Sequence, residues 1–177
     1  MEDVEKLIKF SQDTYRLMFL MRYNIYPTIH KENVSSHVAQ VSLLTLYSYE
    51  ILKDKYDLDL LKMLKIAIIH DLGEVNAIDI PHVIKEKNPE LKYILSKAEE
   101  VEVEKLMGEE YKCLLKDFEM GSSLESIIVE LCDVISCLIY SEEEIKLGNK
   151  YFERVRNESL VRLKEIQNIL ENKHVRK

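Results

Sequence analysis

Glycine and proline are scarce here, with four and three residues in a chain of 177. So few breakers leave little room for many short strands joined by turns, and they favour long helices. Long uncharged runs are missing too. The most apolar stretch, 127–140, is interrupted by Glu130 and Asp133, so no membrane span is expected. The opening MEDVEKLIKF carries acids where a secretory leader carries bases. Cys113, Cys132 and Cys137 lack the C-x-x-C spacing of a metal or redox motif, and three thiols cannot all pair. Cys132 and Cys137 sit in apolar sequence and read as core thiols of a reducing compartment, so a soluble, cytoplasmic protein is expected. Basic residues are the minority, 25 against 32 acidic, for a formal charge of −7. That sign repels a polymer of phosphates at long range and argues against nucleic-acid binding. It leaves room for a small anionic substrate held by local cations.

What remains is rich in apolar residues, 46% of the chain, without linker, repeat or low-complexity tract. Residues 1–177 are therefore read as one domain with a single core. Val4, Leu7, Ile8, Tyr15, Leu17 and Met18 mark a first amphipathic helix with a loose stripe. A polar connection over 24–36 follows, and Ser35 or Ser36 is the expected cap of a helix from about 37 to 52. His37, Val41, Leu44 and Ser48 share one face of it. A third helix is expected over 59–72, ended by Gly73. After a loop with Asp79-Ile80-Pro81, where Pro81 can start a short helix, a charged, exposed helix is expected over 90–107. The most apolar helix, 124–145, belongs at the centre. A last one, 151–170, places Phe152, Val155, Leu163, Ile166 and Leu170 on one side. The class is all-α, a helical bundle.

Some polar residues stand where burial is expensive. Asp133 lies in a segment whose neighbours favour a dry environment, so its carboxylate must be paired, protonated or bound to a cation, or lie on a polar seam with Glu130 and Ser136. His70-Asp71 ends a helix that is otherwise apolar for seven residues save Lys65. An acid there opposes the helix dipole unless it faces water or a cation. His37 points inward with Val41, as a hydrogen-bonded core histidine or as a ligand. Taken together, two imidazoles and two carboxylates make a donor set suited to a borderline divalent ion such as manganese, cobalt, iron or zinc. Four protein donors leave coordination positions open if the ion is octahedral, as catalysis requires.

The split pattern His37 … His70-Asp71 … Asp133 resembles the HD-domain phosphohydrolase superfamily. The text around it is similar to the 5′-deoxynucleotidase branch: Glu32-Asn33-Val34-Ser35-Ser36-His37 with Val38-Ala39-Gln40-Val41, then Ile69-His70-Asp71-Leu72-Gly73-Glu74-Val75, then Asp79-Ile80-Pro81 and Lys85. Asp133, the acids Glu142-Glu143-Glu144, Gly148-Asn149 and Phe152 complete the match, which runs over 22–152. Three positions depart from the branch. Tyr23 stands where its bacterial members carry tryptophan, Ser36 replaces an acid, and Ile78 replaces a glycine.

The resemblance implies an HD-type helical bundle holding one divalent ion through His37, His70, Asp71 and Asp133. It implies hydrolysis of 2′-deoxynucleoside 5′-monophosphates to deoxynucleoside and phosphate. Glu74 and Asp79 become the candidates for proton transfer, Arg22 a phosphate clamp, Lys85 a second cation and Tyr23 a contact to the sugar. The expected partner is a small nucleotide, with no nucleic-acid polymer and no membrane, and a homodimer is the expected assembly. Two alternatives remain: an HD-type hydrolase of triphosphates, cyclic nucleotides or alarmones, and a non-catalytic helical protein in which the metal is a structural pin and the last helix a partner surface.

Overall fold

The computed structural model of the chain describes residues 1–76 and 87–172. Asp79, Lys85, Ile78 and the expected Pro81 helix start lie outside the described residues. Among the described residues the chain forms seven α-helices: α1 (Glu2–Thr14), α2 (Val34–Leu52), α3 (Leu60–Ile69), α4 (Pro89–Met107), α5 (Glu109–Met120), α6 (Leu124–Lys146) and α7 (Glu153–Asn172). Short 3-10 turns cover Tyr15–Met18, Leu72–Asn76 and Lys150–Phe152. The all-α bundle stands as expected. Among the described residues the one extended pairing is an isolated bridge between Met21 and Asn33. Among the described residues no helix is long and apolar enough to cross a membrane.

Helix α6 is central. Its buried Ile127, Ile128, Val129 and Cys132 meet Val41 of α2, Met63, Ile66 and Ala67 of α3, and Ile166 and Leu170 of α7. The stripe of the last helix is thereby spent in the core, which disfavours its reading as a partner surface. A smaller cluster, Ile69, Leu72, Val103 and Leu115, joins the end of α3 to α4 and α5.

Several local expectations are corrected. Helix α2 is capped by Asn33, whose side chain accepts the Ser36 amide at 2.8 Å, not by Ser35 or Ser36. The asparagine precedes the first helical residue, and its extended backbone leaves its oxygen facing the orphan amides. Helix α5 was not anticipated, although Tyr111, Leu114, Leu115 and Phe118 follow helical spacing. Its end at Gly121 is left-handed, with φ 57°, and the Gly121 and Ser122 amides return to Phe118 and Asp117 carbonyls. Gly73 is not a left-handed terminator. A Cβ there would lie 2.6 Å from Glu99 Cβ and 2.7 Å from its Cα, so the glycine lets the turn after α3 rest on the α4 backbone. Helix α4 is accordingly less exposed than expected, burying Glu100 and Val103.

Candidate active site

Four of the bundle's segments meet at one place. Helix α2 supplies His37 from its first turn, fully buried. His70 caps the end of α3, and Asp71 follows it into the turn. Asp133 projects from the middle of α6. Arg22 comes from the loop before α2, where its amide donates to the Glu32 carbonyl and closes the base of that loop.

Each imidazole is oriented by its Nδ1. In His70, Nδ1 lies 2.8 Å from the Ala67 carbonyl, which only accepts, so Nδ1 carries the proton and Nε2 the lone pair. In His37, Nδ1 meets the Ser136 hydroxyl at 3.2 Å. The two Nε2 atoms then face each other at 3.4 Å. Asp133 Oδ1 lies 2.9 Å from His37 Nε2. Ligand-capable atoms of His37, His70 and Asp133 all fall within 4.8 Å of one another. Asp71 Oδ2 sits 3.5 Å from His70 Nε2 and 3.8 Å from His37 Nε2, and takes a hydrogen bond from Arg22 Nη1 at 3.1 Å.

The electrostatics follow from this crowding. Burial raises the Asp133 pKa, but the His37 hydrogen bond and the neighbouring His37, His70 and Arg22 outweigh it, holding the carboxyl well below its usual range. Burial likewise raises Asp71, and His70, Arg22 and His37 bring it down below normal. Burial, reinforced by the Arg22 charge, lowers His37 against the pull of Asp133 and Asp71, which favours the neutral imidazole that a ligand needs. Glu32 is raised by burial, with Asp133 and Asp71 adding to the rise against the pull of Arg22.

The donor set fits a divalent cation on its own chemistry. One proton on His37 Nε2 can serve Asp133 or His70, but not both. The remaining lone pairs would face each other, whereas a cation satisfies all of them at once. Three carboxylates (Glu32, Asp71, Asp133) also gather around the single guanidinium of Arg22. That excess of negative charge suits a divalent ion. Each histidine has its other nitrogen held by a carbonyl or hydroxyl, the support that metal-ligating imidazoles usually receive.

Arg22 is no surface arginine: its side chain is only 15% exposed. Besides Asp71 it reaches Cys137 Sγ at 3.2 Å through Nη2, and Nε lies 3.3 Å from Glu32 Oε2. Burial first, and the Asp133 charge next, push the Cys137 thiol up to about 12, so it remains protonated. Tyr23 packs onto Tyr140 and Phe152 and lies beside Arg22, whose guanidinium carbon is 5.5 Å from the Tyr23 ring centre. Glu74 is buried in the 3-10 turn after Asp71, and its amide bonds the Asp71 carbonyl at 3.2 Å. The expected continuing α-helix is absent; the chain tightens into a 3-10 turn over Leu72–Asn76 instead.

Two openings flank this cluster. A cavity of about 250 Å³ is lined by Arg22, Tyr23, Thr28, Lys31 and Glu32. On the other side a groove of about 360 Å³ is lined by Phe118, Ile127, Glu130, Asp133 and Arg162. Lys31, Glu32, Ser136 and Cys137 also stand at the site, beyond the residues that the sequence pattern marks. The spacing of Glu32 and Ser136 to His37 and Asp133 was the available signal, whereas nothing local in the sequence marks Cys137 as a neighbour of Arg22.

The family model for YfbR-like 5′-deoxynucleotidases matches residues 9–175. The chain belongs to that family. It is therefore a hydrolase. A 5′-deoxynucleotidase of Yersinia pestis (strain Pestoides F) is 29% identical over 147 residues, covering 77% of this chain and 74% of its own. A conserved hypothetical protein of Pyrococcus furiosus superposes with a TM-score of 0.80 at 28% identity, over 93% of this chain and 94% of its own. An HD-domain phosphohydrolase of Listeria innocua gives 0.76 at 22% identity, over 94% and 86%, a likeness that carries the HD-type fold.

Proposed function

We propose that the protein hydrolyses 2′-deoxynucleoside 5′-monophosphates to deoxynucleoside and phosphate, with a divalent ion held by His37, His70, Asp71 and Asp133. The observation that carries this is the convergence of two imidazole Nε2 atoms 3.4 Å apart with Asp133 Oδ1 at 2.9 Å, in a chain of a 5′-deoxynucleotidase family. Manganese, cobalt, iron and zinc all suit two nitrogen and two carboxylate donors. Bound there, such an ion supplies Lewis acidity, acidifying a water and neutralising charge on the phosphoryl oxygens.

The chain's own groups do the rest. Arg22 offers paired guanidinium donors that match two phosphate oxygens, and the 250 Å³ cavity beside it gives it an approach from outside. Lys31 lines the same cavity and adds a second cation. Glu74 takes the proton from the attacking water, and Asp79 gives one to the leaving 5′ oxygen. Lys85 completes the phosphate contacts. Tyr23 is a packing residue whose ring excludes bulk beside the sugar. The protein is cytoplasmic and works as a homodimer, for which exposed Val4, Leu7 and Ile8 on α1 and Leu43 and Tyr47 on α2 supply apolar surface.

A panel of deoxy- and ribonucleoside monophosphates, assayed for phosphate release with manganese, cobalt, magnesium and zinc, tests the reading. Activity on the deoxy series with a transition ion, lost on chelation and restored by adding the ion back, is the expected result. Release confined to triphosphates, cyclic nucleotides or alarmones would move the assignment to another HD substrate. No release from any phosphoester, with structure preserved, would favour the metal-pinned binding protein.

A further inference from the structure

Tyr23 is the only non-glycine residue with positive φ among the described residues, at 56°. The left-handed region crowds the Cβ of an L-residue, so a tyrosine there is strained and must be held by its surroundings. The holding group is visible. The Tyr140 ring of α6 stacks on Tyr23 at 4.9 Å with an interplanar angle of 2°. Phe152, fully buried, meets both rings edge-on, at 5.2 Å from Tyr23 and 5.5 Å from Tyr140. The Tyr140 hydroxyl donates to the His30 carbonyl, which fixes the ring against the far side of the same loop.

The Tyr23 ring packs on this aromatic box and also carries the Arg22 guanidinium carbon 5.5 Å from its centre, while Arg22 reaches on to Asp71 and Cys137. Relaxing Tyr23 to negative φ would swing the chain at its junction with Arg22 and carry the guanidinium away from Asp71. The geometry points to Tyr140 as a positioning residue: by stacking on Tyr23 it holds the strained turn that aims Arg22 at the phosphate. The inference rests on the reading of Arg22 as the phosphate contact.

The test uses the full chain with manganese and its best nucleoside monophosphate. It compares Tyr140→Ala, Tyr140→Leu and Tyr140→Phe in the wild-type and Arg22→Ala backgrounds, with inorganic phosphate as a competing probe. Tyr140→Leu keeps buried volume without the stack, so a fold that fails with alanine still leaves a measurement. We expect KM and the phosphate inhibition constant to rise roughly 3- to 10-fold in Tyr140→Ala and Tyr140→Leu, the size of an aromatic pair's coupling. Manganese content should stay unchanged and kcat should move less than about 2-fold, because only ground-state and transition-state phosphate binding are weakened together. Tyr140→Phe should restore wild-type values. With Arg22 already removed, Tyr140→Leu should add no further rise. An equal rise with and without Arg22, or full rescue by leucine, would overturn the inference and leave Tyr140 as packing. If Arg22→Ala itself changes neither KM nor phosphate inhibition, the reading of Arg22 fails instead.

Discussion

Two carboxylates on α6, about three helical turns apart, have opposite fates. Glu144 is fully buried and every oxygen is spoken for: the Ile29 amide at 2.9 Å, the His30 amide at 2.5 Å and the Asn149 side chain at 2.5 Å. Asn149 also holds the Pro27 carbonyl at 2.6 Å, so the pair fastens the loop that carries Arg22. Asp133 is less buried, its side chain 27% exposed, yet its surroundings are incomplete: an imidazole, a thiol at 3.6 Å and other acids nearby. Backbone amides are fixed donors that complete one site from within. Side-chain lone pairs and like charges make up the other, the arrangement on which the proposed metal site rests. A buried acid whose donors all come from the protein is structural; one that lacks them has the surroundings proposed for a metal ligand.

The comparison breaks most visibly under isosteric amide substitution. Asp133→Asn keeps an acceptor for His37 and removes the charge. We expect turnover to fall on the order of 10⁴-fold, about 5.5 kcal/mol of transition-state stabilisation. The metal-free unfolding free energy should change by less than about 1 kcal/mol. Steady-state assays and chemical denaturation of the same preparation check both halves, and a large stability loss would make Asp133 structural. Glu74 sharpens the contrast as a third buried acid. Glu74→Gln should slow turnover by roughly 10² to 10³ while metal content holds, the range of a lost general base. A full rate in single-turnover assays would remove Glu74 from the chemistry.

Glu144→Gln should do the reverse of Asp133→Asn. It sets an amide N–H₂ against fixed N–H donors, so denaturation should show a loss of about 2 kcal/mol while manganese stoichiometry stays at the wild-type value. Smaller again is Ser136→Ala, which removes the oxygen that orients His37 Nδ1. Metal affinity should weaken roughly 10- to 100-fold by competition titration, with little change in stability. The smallest effect concerns acid. Burial raises Glu144, but the Ile29 and His30 amides and Asn149 depress it below its normal value. A depressed folded pKa contributes stability that is complete above the unfolded value, about 4.3, and is lost as pH falls through the lower folded value. Denaturation of the metal-free protein from pH 7 downward should therefore show a loss beginning below about 4.5, with a shallower acid limb in Glu144→Gln.

Much of this was legible in residues alone. Asp133 in an apolar run, and an acid after His70 at a helix end, signal unusual cost, and helical spacing placed His37 inward on α2. The order of most helices and the central place of α6 followed from apolar periodicity. What escaped depends on partners, and periodicity reports burial without naming the neighbour. Glu144 reads as one acid of the run Glu142-Glu143-Glu144 until the Pro27–His30 backbone is packed against it. Gly73 reads as a helix stop until the α4 backbone arrives beside it. Tyr23 reads as a sugar contact, and nothing near it in the sequence adds that Tyr140, over a hundred residues later, stacks on it. Helix α5 was missed because its many charges hid a four-residue apolar face. The roles expected of Asp79 and Lys85 concern positions outside the described residues.

Diffraction from crystals grown with manganese, collected at its absorption edge, tests the central claim most directly. One anomalous peak bonded by Nε2 of His37 and His70 and by carboxylate oxygens of Asp71 and Asp133 is the predicted result. An anomalous map without a peak at that position, or a peak that leaves either histidine or Asp133 turned away, would contradict it.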